Sequence, residues 1–153
     1  MNRSMELIGT GTASELIRTA LEMRKRSYCP YSNYSVGAAL LAEDGSVHTG
    51  CNVENAAYPA AICAERTAFV KAVSEGCRRF TAIAVTGGIG PEPEDYSWPC
   101  GECRQFMREF CEPDRFVVIT AKSETDYRCY TLEELLPESF GPGNLVGGER
   151  YGL

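Results

Sequence analysis

Three cysteines and a glutamate are spaced in this chain as the residues of a hydrolytic zinc site are. Cys63 is followed two residues later by Glu65, and Cys100 and Cys103 form a Cys-x-x-Cys pair preceded by a proline. A structural zinc site is closed by four protein ligands, whereas a catalytic site keeps three and leaves the fourth position to water. Three thiolates with a carboxylate beside them therefore predict a catalytic zinc ion held by Cys63, Cys100 and Cys103.

Glu65 and the next residue, Arg66, complete the chemistry that this spacing suggests. Water bound to zinc ionises near neutral pH, and a carboxylate beside it can take the proton and pass it on. Three thiolates leave the site with a formal charge of about −1, which blunts that ionisation. The guanidinium of Arg66 can hydrogen-bond the ligand sulfurs and offset this charge. An exposed helix arginine fits the sequence equally well.

Two other interpretations of the cysteines stay open at this point. A Cys-x-x-Cys pair is common as half of a structural zinc site or as a redox pair. His48, the only histidine of the chain, could complete a closed site of three cysteines and one histidine. Its apolar and β-branched neighbours, Val47 and Thr49, indicate instead a strand residue near the surface. A lone histidine in such a context gives no support to serine-histidine-aspartate catalysis.

Composition limits the partners and the compartment. The length predicts one domain over residues 1–153, and no segment has the pattern of a signal peptide or a membrane span. A net charge of −6 argues against nucleic acid, because polynucleotide binders present a basic surface. The basic cluster at residues 24–26 is interpreted as a solvated helix end. Eight cysteines without a secretion signal indicate reduced thiols or metal ligands, so we expect a cytoplasmic protein with a small, neutral substrate.

Helical and strand patterns alternate along the chain, which predicts an α/β fold. The expected elements are helix 13–27, strands 36–41 and 47–51, helix 63–75, strand 80–86, helix 101–111, strands 116–120 and 127–130, and a short helix opened by a capping box at 131–134. Thr12 or Ser14 is available to cap the first helix, and Gly76 to end the second. Residues 87–98 are expected to form a long loop, and residues from about 141 to 153 a flexible tail.

The predicted helix starts matter for the proposed ligands. Cys63 and Cys100 both fall at the entrance of a predicted helix, where unpaired backbone N–H groups and the macrodipole favour negative charge. A thiol in this position ionises more readily and binds metal better as a thiolate.

The cysteine pattern with its intervening glutamate and proline matches the general signature of zinc-dependent deaminases, with cysteine as the first ligand. Further segments resemble the small, homotetrameric cytidine deaminases. These segments are residues 30–33, 36–40, 50–56, 58–59, 62–67, 99–105, 135–137 and 140–142. They span nearly all of the chain except its two ends. The resemblance implies a three-layer α/β fold with a mixed five-stranded sheet flanked by helices. It also implies one Zn²⁺ per chain on the three cysteines, with Glu65 as the proton shuttle.

The resemblance also assigns residues to the substrate. It gives Asn52 and Glu54 to the sugar, which agrees with their spacing, since residues i and i+2 of an extended segment share a face. It gives the backbone of Ala64 to the base. Tyr34 stands where the family usually has a phenylalanine packed against the substrate, so its ring keeps the stacking surface and adds a hydroxyl.

Two aromatic residues of the resembling segments concern the assembly of subunits. By the same resemblance, Tyr58 and Phe140 reach the site of a neighbouring subunit, which makes activity depend on a homotetramer with shared sites. The resemblance further favours the interpretation of Arg66 as a residue that tunes the thiolates.

The predicted reaction is hydrolysis of cytidine, and of 2′-deoxycytidine, to the uridine product and ammonia in pyrimidine salvage. A zinc-bound hydroxide is expected to attack C4 of the base while Glu65 moves the proton. A deaminase of aminonucleoside antibiotics, of the blasticidin type, is the nearest alternative, and the Asn52-x-Glu54-Asn55 segment favours the plain nucleoside. A non-catalytic, zinc-stabilised binding module is the alternative from a different class.

Overall fold

A computed structural model describes residues 3–146, and its centre is one mixed sheet of five strands. The strands are β1 (Ser35–Ala42), β2 (Val47–Cys51), β3 (Phe80–Gly88), β4 (Val117–Ala121) and β5 (Tyr127–Thr131). They lie in the order β2-β1-β3-β4-β5, with β3 and β4 parallel and the other neighbouring pairs antiparallel. The predicted α/β fold with a mixed five-stranded sheet is therefore confirmed.

Helices cover both faces of this sheet. They are α1 (Arg3–Ile8), α2 (Thr10–Met23), α3 (Ala64–Ser74), α4 (Gly101–Phe110), α5 (Leu132–Leu135) and α6 (Gly143–Val146), with 3₁₀ turns at Arg24–Arg26 and Tyr58–Ala60. The apolar stripe of α2 packs on one face, and α3 and α4 pack on the other. None of the helices within residues 3–146 is long and apolar enough to cross a membrane.

The alternation of side chains along β1 divides the core into two layers. Ala38 and Leu40 face α3 and α4, whereas Ala39 faces α2. The layer under α3 is centred on Phe69, which is fully buried and lies 5.0 Å from the ring of Phe80. This aromatic packing fixes α3 against the sheet, and the N-terminus of α3 carries Cys63 and Glu65.

Most of the predicted elements are present, and their ends show local causes. The turn between β1 and β2 contains Gly45 at φ 88°, and Gly76 at φ 99° follows α3. The capping box is formed: the Thr131 hydroxyl accepts a hydrogen bond from the backbone N–H of Glu134, whose carboxylate accepts one from the N–H of Thr131. The hairpin, the helix stop and the capped helix were thus predicted correctly.

The N-terminal region differs from the prediction. α1 was not predicted, and α2 begins at Thr10, preceded by Gly9 without a side-chain cap. The hydroxyl of Ser14 instead donates to Glu124, at 2.8 Å, across the fold. The expected cap at Thr12 or Ser14 is therefore wrong, because both residues lie inside the helix and the hydroxyl of Ser14 bonds a partner distant in sequence.

The C-terminal region contains one more short helix. Within the expected tail of residues 141–153, α6 forms a turn of helix at Gly143–Val146. Its start is held by Asn144, whose side-chain oxygen accepts a hydrogen bond from the N–H of Gly141 at 2.8 Å. Residues 147–153 of that predicted tail lie outside the described residues.

Arg24 contradicts its interpretation as part of a solvated helix end. Its residue surface is only 6% exposed. Its guanidinium donates to four carbonyl oxygens, those of Ser35 (3.1 Å), Gly88 (3.0 Å), Gly90 (2.7 Å) and Pro91 (3.0 Å). The side chain thus joins the start of β1 to the loop that follows β3, the loop that leads to Cys100.

Candidate active site

The ends of two helices bring the predicted ligands together. Cys63 is the N-cap of α3 and Cys100 the N-cap of α4, both in extended backbone conformation. Neither side chain caps its own helix, so both sulfurs are free to face the space between the helix N-termini. Cys103 follows in the first turn of α4 and is fully buried. The predicted position of Cys63 and Cys100 at helix starts is confirmed.

The sulfur atoms form a cluster with the dimensions of a zinc site. The Sγ atoms of Cys63, Cys100 and Cys103 lie within 4.8 Å of one another, and those of Cys63 and Cys100 are 3.9 Å apart. Tetrahedral zinc with bonds of about 2.3 Å to sulfur separates its sulfur ligands by about 3.8 Å. Within residues 3–146 this is the one group of three or more histidine, cysteine or acidic side chains arranged to hold a metal ion. The donor set and spacing therefore fit zinc.

His48 does not belong to this cluster. It is buried on β2, where its Nδ1 lies 3.3 Å from a carboxylate oxygen of Glu75 and its Nε2 3.0 Å from the hydroxyl of Ser46. Glu75 directly follows α3, at the opposite end of that helix from Cys63, and Ser46 lies in the turn before β2. The described residues give no closed site of three cysteines and one histidine, and His48 is more buried than a surface strand residue.

Glu65 follows Cys63 by two residues, and it is almost completely buried at 4% exposure. Burial raises the pKa of its carboxyl to about 7, and the charge of Cys63 acts in the same direction. Its own backbone N–H and a hydrogen bond with Cys103 work against this rise. A carboxyl with a pKa near neutrality is able both to accept and to donate a proton at physiological pH.

The pKa values of Cys63 and Cys103 are shifted in opposite directions. A hydrogen bond with Cys103 lowers the pKa of Cys63 to about 5, with further help from Arg66 and Cys100 and against the effect of burial. The same hydrogen bond, together with burial, raises the pKa of Cys103. Cys63 is therefore the thiol of this pair that is most readily present as a thiolate.

Arg66 lies against the ligand sulfurs. Its side chain is 19% exposed, and its Nη2 atom is 3.6 Å from Sγ of Cys63. Although burial opposes it, hydrogen bonds to Cys63 and Cys103 raise the pKa of the guanidinium. The same Nη2 atom lies 3.2 Å from a carboxylate oxygen of Glu102. Arg66 thus occupies the position that a charge-offsetting residue needs, rather than pointing to solvent.

Asn52 fixes the backbone of the segment that carries Tyr34. Its side-chain oxygen accepts a hydrogen bond from the N–H of Val36 at 2.8 Å. Its side-chain nitrogen donates to the carbonyl of Tyr34, also at 2.8 Å. One amide therefore bridges two points of the chain just before and at the start of β1.

Glu54 holds the preceding turn in the same way. Its carboxylate accepts hydrogen bonds from the N–H groups of Tyr31 (2.9 Å) and Ser32 (3.2 Å) and from the Ser32 hydroxyl (2.6 Å). The hydroxyl and backbone of Ser32, with the N–H of Tyr31, lower the pKa of Glu54, so it is ionised at neutral pH. Tyr31, Ser32 and Glu54, with Asn55, Tyr58 and Ala61, line a cavity of about 340 Å³.

The remaining predicted substrate residues occupy distinct environments. Tyr34 is partly exposed, and a Cβ atom built on Gly87 would lie 2.9 Å from its ring, so the missing side chain at Gly87 makes room for it. Ala64 is fully buried at the first position of α3. Tyr58 and Phe140 are 71% and 58% exposed, which is unusual for aromatic side chains of this size.

Two contributors to the site were not singled out from the sequence. Glu102 was only an unspecified position of the cysteine motif, and its contact with Arg66 depends on the approach of α3 to α4. Ser32 supplies two of the three hydrogen bonds to Glu54. A serine before an asparagine in a turn indicates such side-chain bonding in general, but not its partner.

Comparison with known proteins agrees with this geometry. Residues 10–120 match the family model of the cytidine and deoxycytidylate deaminase zinc-binding region. A cytidine deaminase of Sporosarcina psychrophila is 46% identical over 131 residues, covering 86% of this chain and 93% of that protein. One of Halalkalibacterium halodurans is 48% identical over 126 residues, covering 82% and 91%.

Solved structures agree as well. The crystal structure of a cytidine deaminase from Burkholderia pseudomallei superposes with a TM-score of 0.75 at 44% identity, covering 82% of this chain and 97% of that one. One from Mycobacterium tuberculosis gives a TM-score of 0.70 at 35% identity, covering 83% and 95%. With its buried glutamate beside three clustered cysteines, this chain is a hydrolytic enzyme that belongs to the cytidine and deoxycytidylate deaminase family.

Proposed function

We propose that this enzyme hydrolyses cytidine, and also 2′-deoxycytidine, to the uridine product and ammonia in pyrimidine salvage. The observation that carries the proposal is the burial of Glu65 at the start of α3, two residues after Cys63 in a cluster that fits zinc. This chain matches 93% and 91% of the length of two relatives named cytidine deaminase, which supports cytidine as the substrate.

The proposed metal is one Zn²⁺ per chain, held by Cys63, Cys100 and Cys103. When bound, zinc supplies an activated water beside Glu65. The carboxylate of Glu65 takes a proton from the water whose oxygen bonds to C4 of the base, and delivers it to the ring nitrogen N3. Glu65 then transfers the second proton of the water to the amino group, the C4–N bond breaks, and ammonia leaves. Because the side chain of Glu65 is almost completely buried, the proton that it carries passes from the water to the substrate and is not lost to bulk solvent.

The proposed nucleoside cleft is formed by the segments that Asn52 and Glu54 hold in place. We assign the ribose hydroxyls to these two side chains, the base to the backbone of Ala64, and a stacking surface to the ring of Tyr34. Glu54 is ionised at neutral pH, so it accepts a hydroxyl well and repels a phosphate. This charge supports a nucleoside rather than a nucleotide.

We further propose that the enzyme is a homotetramer. The exposed ring of Tyr58 contacts that of Tyr31, which is 49% exposed. Tyr28, Val53 and Ile62 lie next to one another through β-bridges and are 56%, 41% and 40% exposed. Apolar surface concentrated in this way is typical of protein–protein interfaces. A second copy of the chain would cover it, and Tyr58 and Phe140 would reach the neighbouring site.

The thiols support a reducing compartment. All eight cysteines, which lie within the described residues, are free, although Cys63 and Cys100 are close enough for their sulfurs to contact. Free thiols in this number are usual in the cytoplasm and rare in oxidising compartments. We therefore assign the enzyme to the cytoplasm.

The decisive experiment measures ammonia release by the zinc-loaded protein from four compounds: cytidine, 2′-deoxycytidine, cytidine monophosphate and blasticidin S. We expect turnover of the two nucleosides, little of the monophosphate, and loss of turnover by several orders of magnitude in Glu65→Gln with zinc retained. Turnover of blasticidin S alone would replace the nucleoside by the antibiotic. Zinc binding without turnover of any of the four compounds would favour a binding module.

A further inference from the structure

The Nη2 atom of Arg66 has two negative neighbours that compete for it. Its Nη2 atom is 3.6 Å from Sγ of Cys63 and 3.2 Å from Oε2 of Glu102. Its Nε atom is buried and has no hydrogen-bond partner within residues 3–146. One nitrogen of the group therefore serves both the thiolate and the carboxylate.

The formal charges show what the carboxylate changes. A zinc ion, three thiolates and one guanidinium sum to about zero. Glu102 returns the local charge to about −1 through its contact with Arg66. Because Glu102 stands between Cys100 and Cys103 in the first turn of α4, the helix directs it toward the cluster without burying it. Its side chain is 73% exposed, so the fold does not depend on it.

Building on the proposed zinc function, we propose that Glu102 is a positioning residue that draws the Arg66 guanidinium away from the sulfur of Cys63 and thereby strengthens metal retention. A thiolate that donates electron density to a cation keeps less for the metal, since both interactions use its lone pairs. Glu102 weakens the first interaction by accepting the same Nη2–H group. Arg66 thus offsets the thiolate charge, and Glu102 limits this effect so that the site retains the ion.

The test begins with Glu102→Gln, which keeps an oxygen acceptor for Nη2 and removes only the charge. A partly exposed ion pair such as that of Arg66 with Glu102 is strong enough to change an equilibrium constant by about three-fold. We expect the variant to bind Zn²⁺ about three-fold more weakly in competition with a chelator. In the Co²⁺-substituted protein, the sulfur-to-metal charge-transfer band should move to higher energy, because the Cys63 sulfur is hydrogen-bonded more strongly.

Glu109→Gln is the matched control, since Glu109 is an exposed glutamate on the same helix, two turns further from the cluster. It should change neither the Zn²⁺ affinity nor the Co²⁺ spectrum. A double-mutant cycle with Arg66→Gln separates the two routes by which Glu102 could act. If Glu102 acts through Arg66, the effect of Glu102→Gln disappears in the Arg66→Gln background.

Equal Zn²⁺ affinities for Glu102→Gln and Glu109→Gln would overturn the inference, and so would an undiminished effect in the Arg66→Gln background. Tighter binding by Glu102→Gln would do so as well, because it would show that the carboxylate holds Arg66 toward Cys63. Each of these results leaves the proposed deaminase activity untouched. A wild-type protein that binds no Zn²⁺ would instead overturn both proposals.

Discussion

Gly50 offers a way to move the candidate site without changing any of its residues. It lies on β2 opposite Ala38 and faces α3. A Cβ atom at this position would stand 2.2 Å from the carbonyl oxygen of Ala64 and 2.6 Å from the backbone nitrogen of Ala68. Both contacts are with backbone, so no side-chain rotation relieves them.

The size of the displacement follows from these distances. Ordinary contact of a Cβ atom begins at 3.4 Å, so Gly50→Ala requires the first turn of α3 to move by about 1 Å. That turn carries Cys63 and Glu65. A misplacement of about 1 Å at reacting groups lowers turnover by about 10²-fold. Overpacking of this kind also lowers the free energy of unfolding by about 1–3 kcal/mol.

Gly37→Ala provides the matched control, because its Cβ would stand 1.9 Å from the carbonyl of Ala20 on the opposite face of the sheet. We expect both variants to lose stability in urea titration, but only Gly50→Ala to lose zinc and turnover of cytidine per folded molecule. Gly11→Ala, where nothing lies within 4 Å, should lose neither. Wild-type zinc content and turnover in Gly50→Ala would refute the claim that the contact of β2 with α3 positions the site.

Two further predictions concern buried charges. Arg24→Met leaves four carbonyl oxygens without their donor, so we expect the free energy of unfolding in urea to fall by about 3 kcal/mol, whereas Lys25→Met, at an exposed ion pair, should stay within about 0.5 kcal/mol of wild type; equal losses would contradict the burial of Arg24. The pKa of Glu65 is raised from 4.5 to about 7 by folding, so its ionisation destabilises the metal-stripped fold as the pH rises through this window. Metal-stripped Glu65→Gln should therefore exceed metal-stripped wild type by about 3 kcal/mol at about pH 8, with the difference shrinking toward about pH 4; a difference that does not vary with pH in thermal or urea unfolding would contradict the raised pKa.

The clustering of Cys63, Cys100 and Cys103 could be predicted in part from the sequence, because the placement of Cys63 and Cys100 depends on local rules. Cys63 and Cys100 each precede a helical pattern, and the start of a helix fixes where its first residues point. The hairpin at Gly45 and the capping box at Thr131 are local in the same sense. These features are predicted correctly because each of them is decided within about one turn of chain.

Arg24 shows where local rules fail. Two basic neighbours and a helix end favour a solvated side chain, and Lys25 follows that expectation. The carbonyl acceptors of Arg24 at Gly88, Gly90 and Pro91 come 64 to 67 residues later in the chain. No local sequence pattern predicts these contacts, because the carbonyl groups come close to Arg24 only when the sheet has formed. The same reason applies to α1, where the fully buried Ser4 donates a hydrogen bond to Glu134, 130 residues later in the chain.

For Asn52 and Glu54, the sequence leaves two interpretations open, and the contacts of the folded chain help to choose between them. A pair of polar residues after an edge strand suits either a simple strand end or a sugar contact. Asn52 uses one lone pair and one N–H on the backbone around Tyr34, and Glu54 uses three of its roughly four acceptor positions on Tyr31 and Ser32. What is left over is one lone pair and one N–H of Asn52, and about one acceptor position of Glu54. A hydroxyl can donate and accept at once, so the groups that remain on Asn52 and Glu54 support our proposal that this pair binds a ribose hydroxyl.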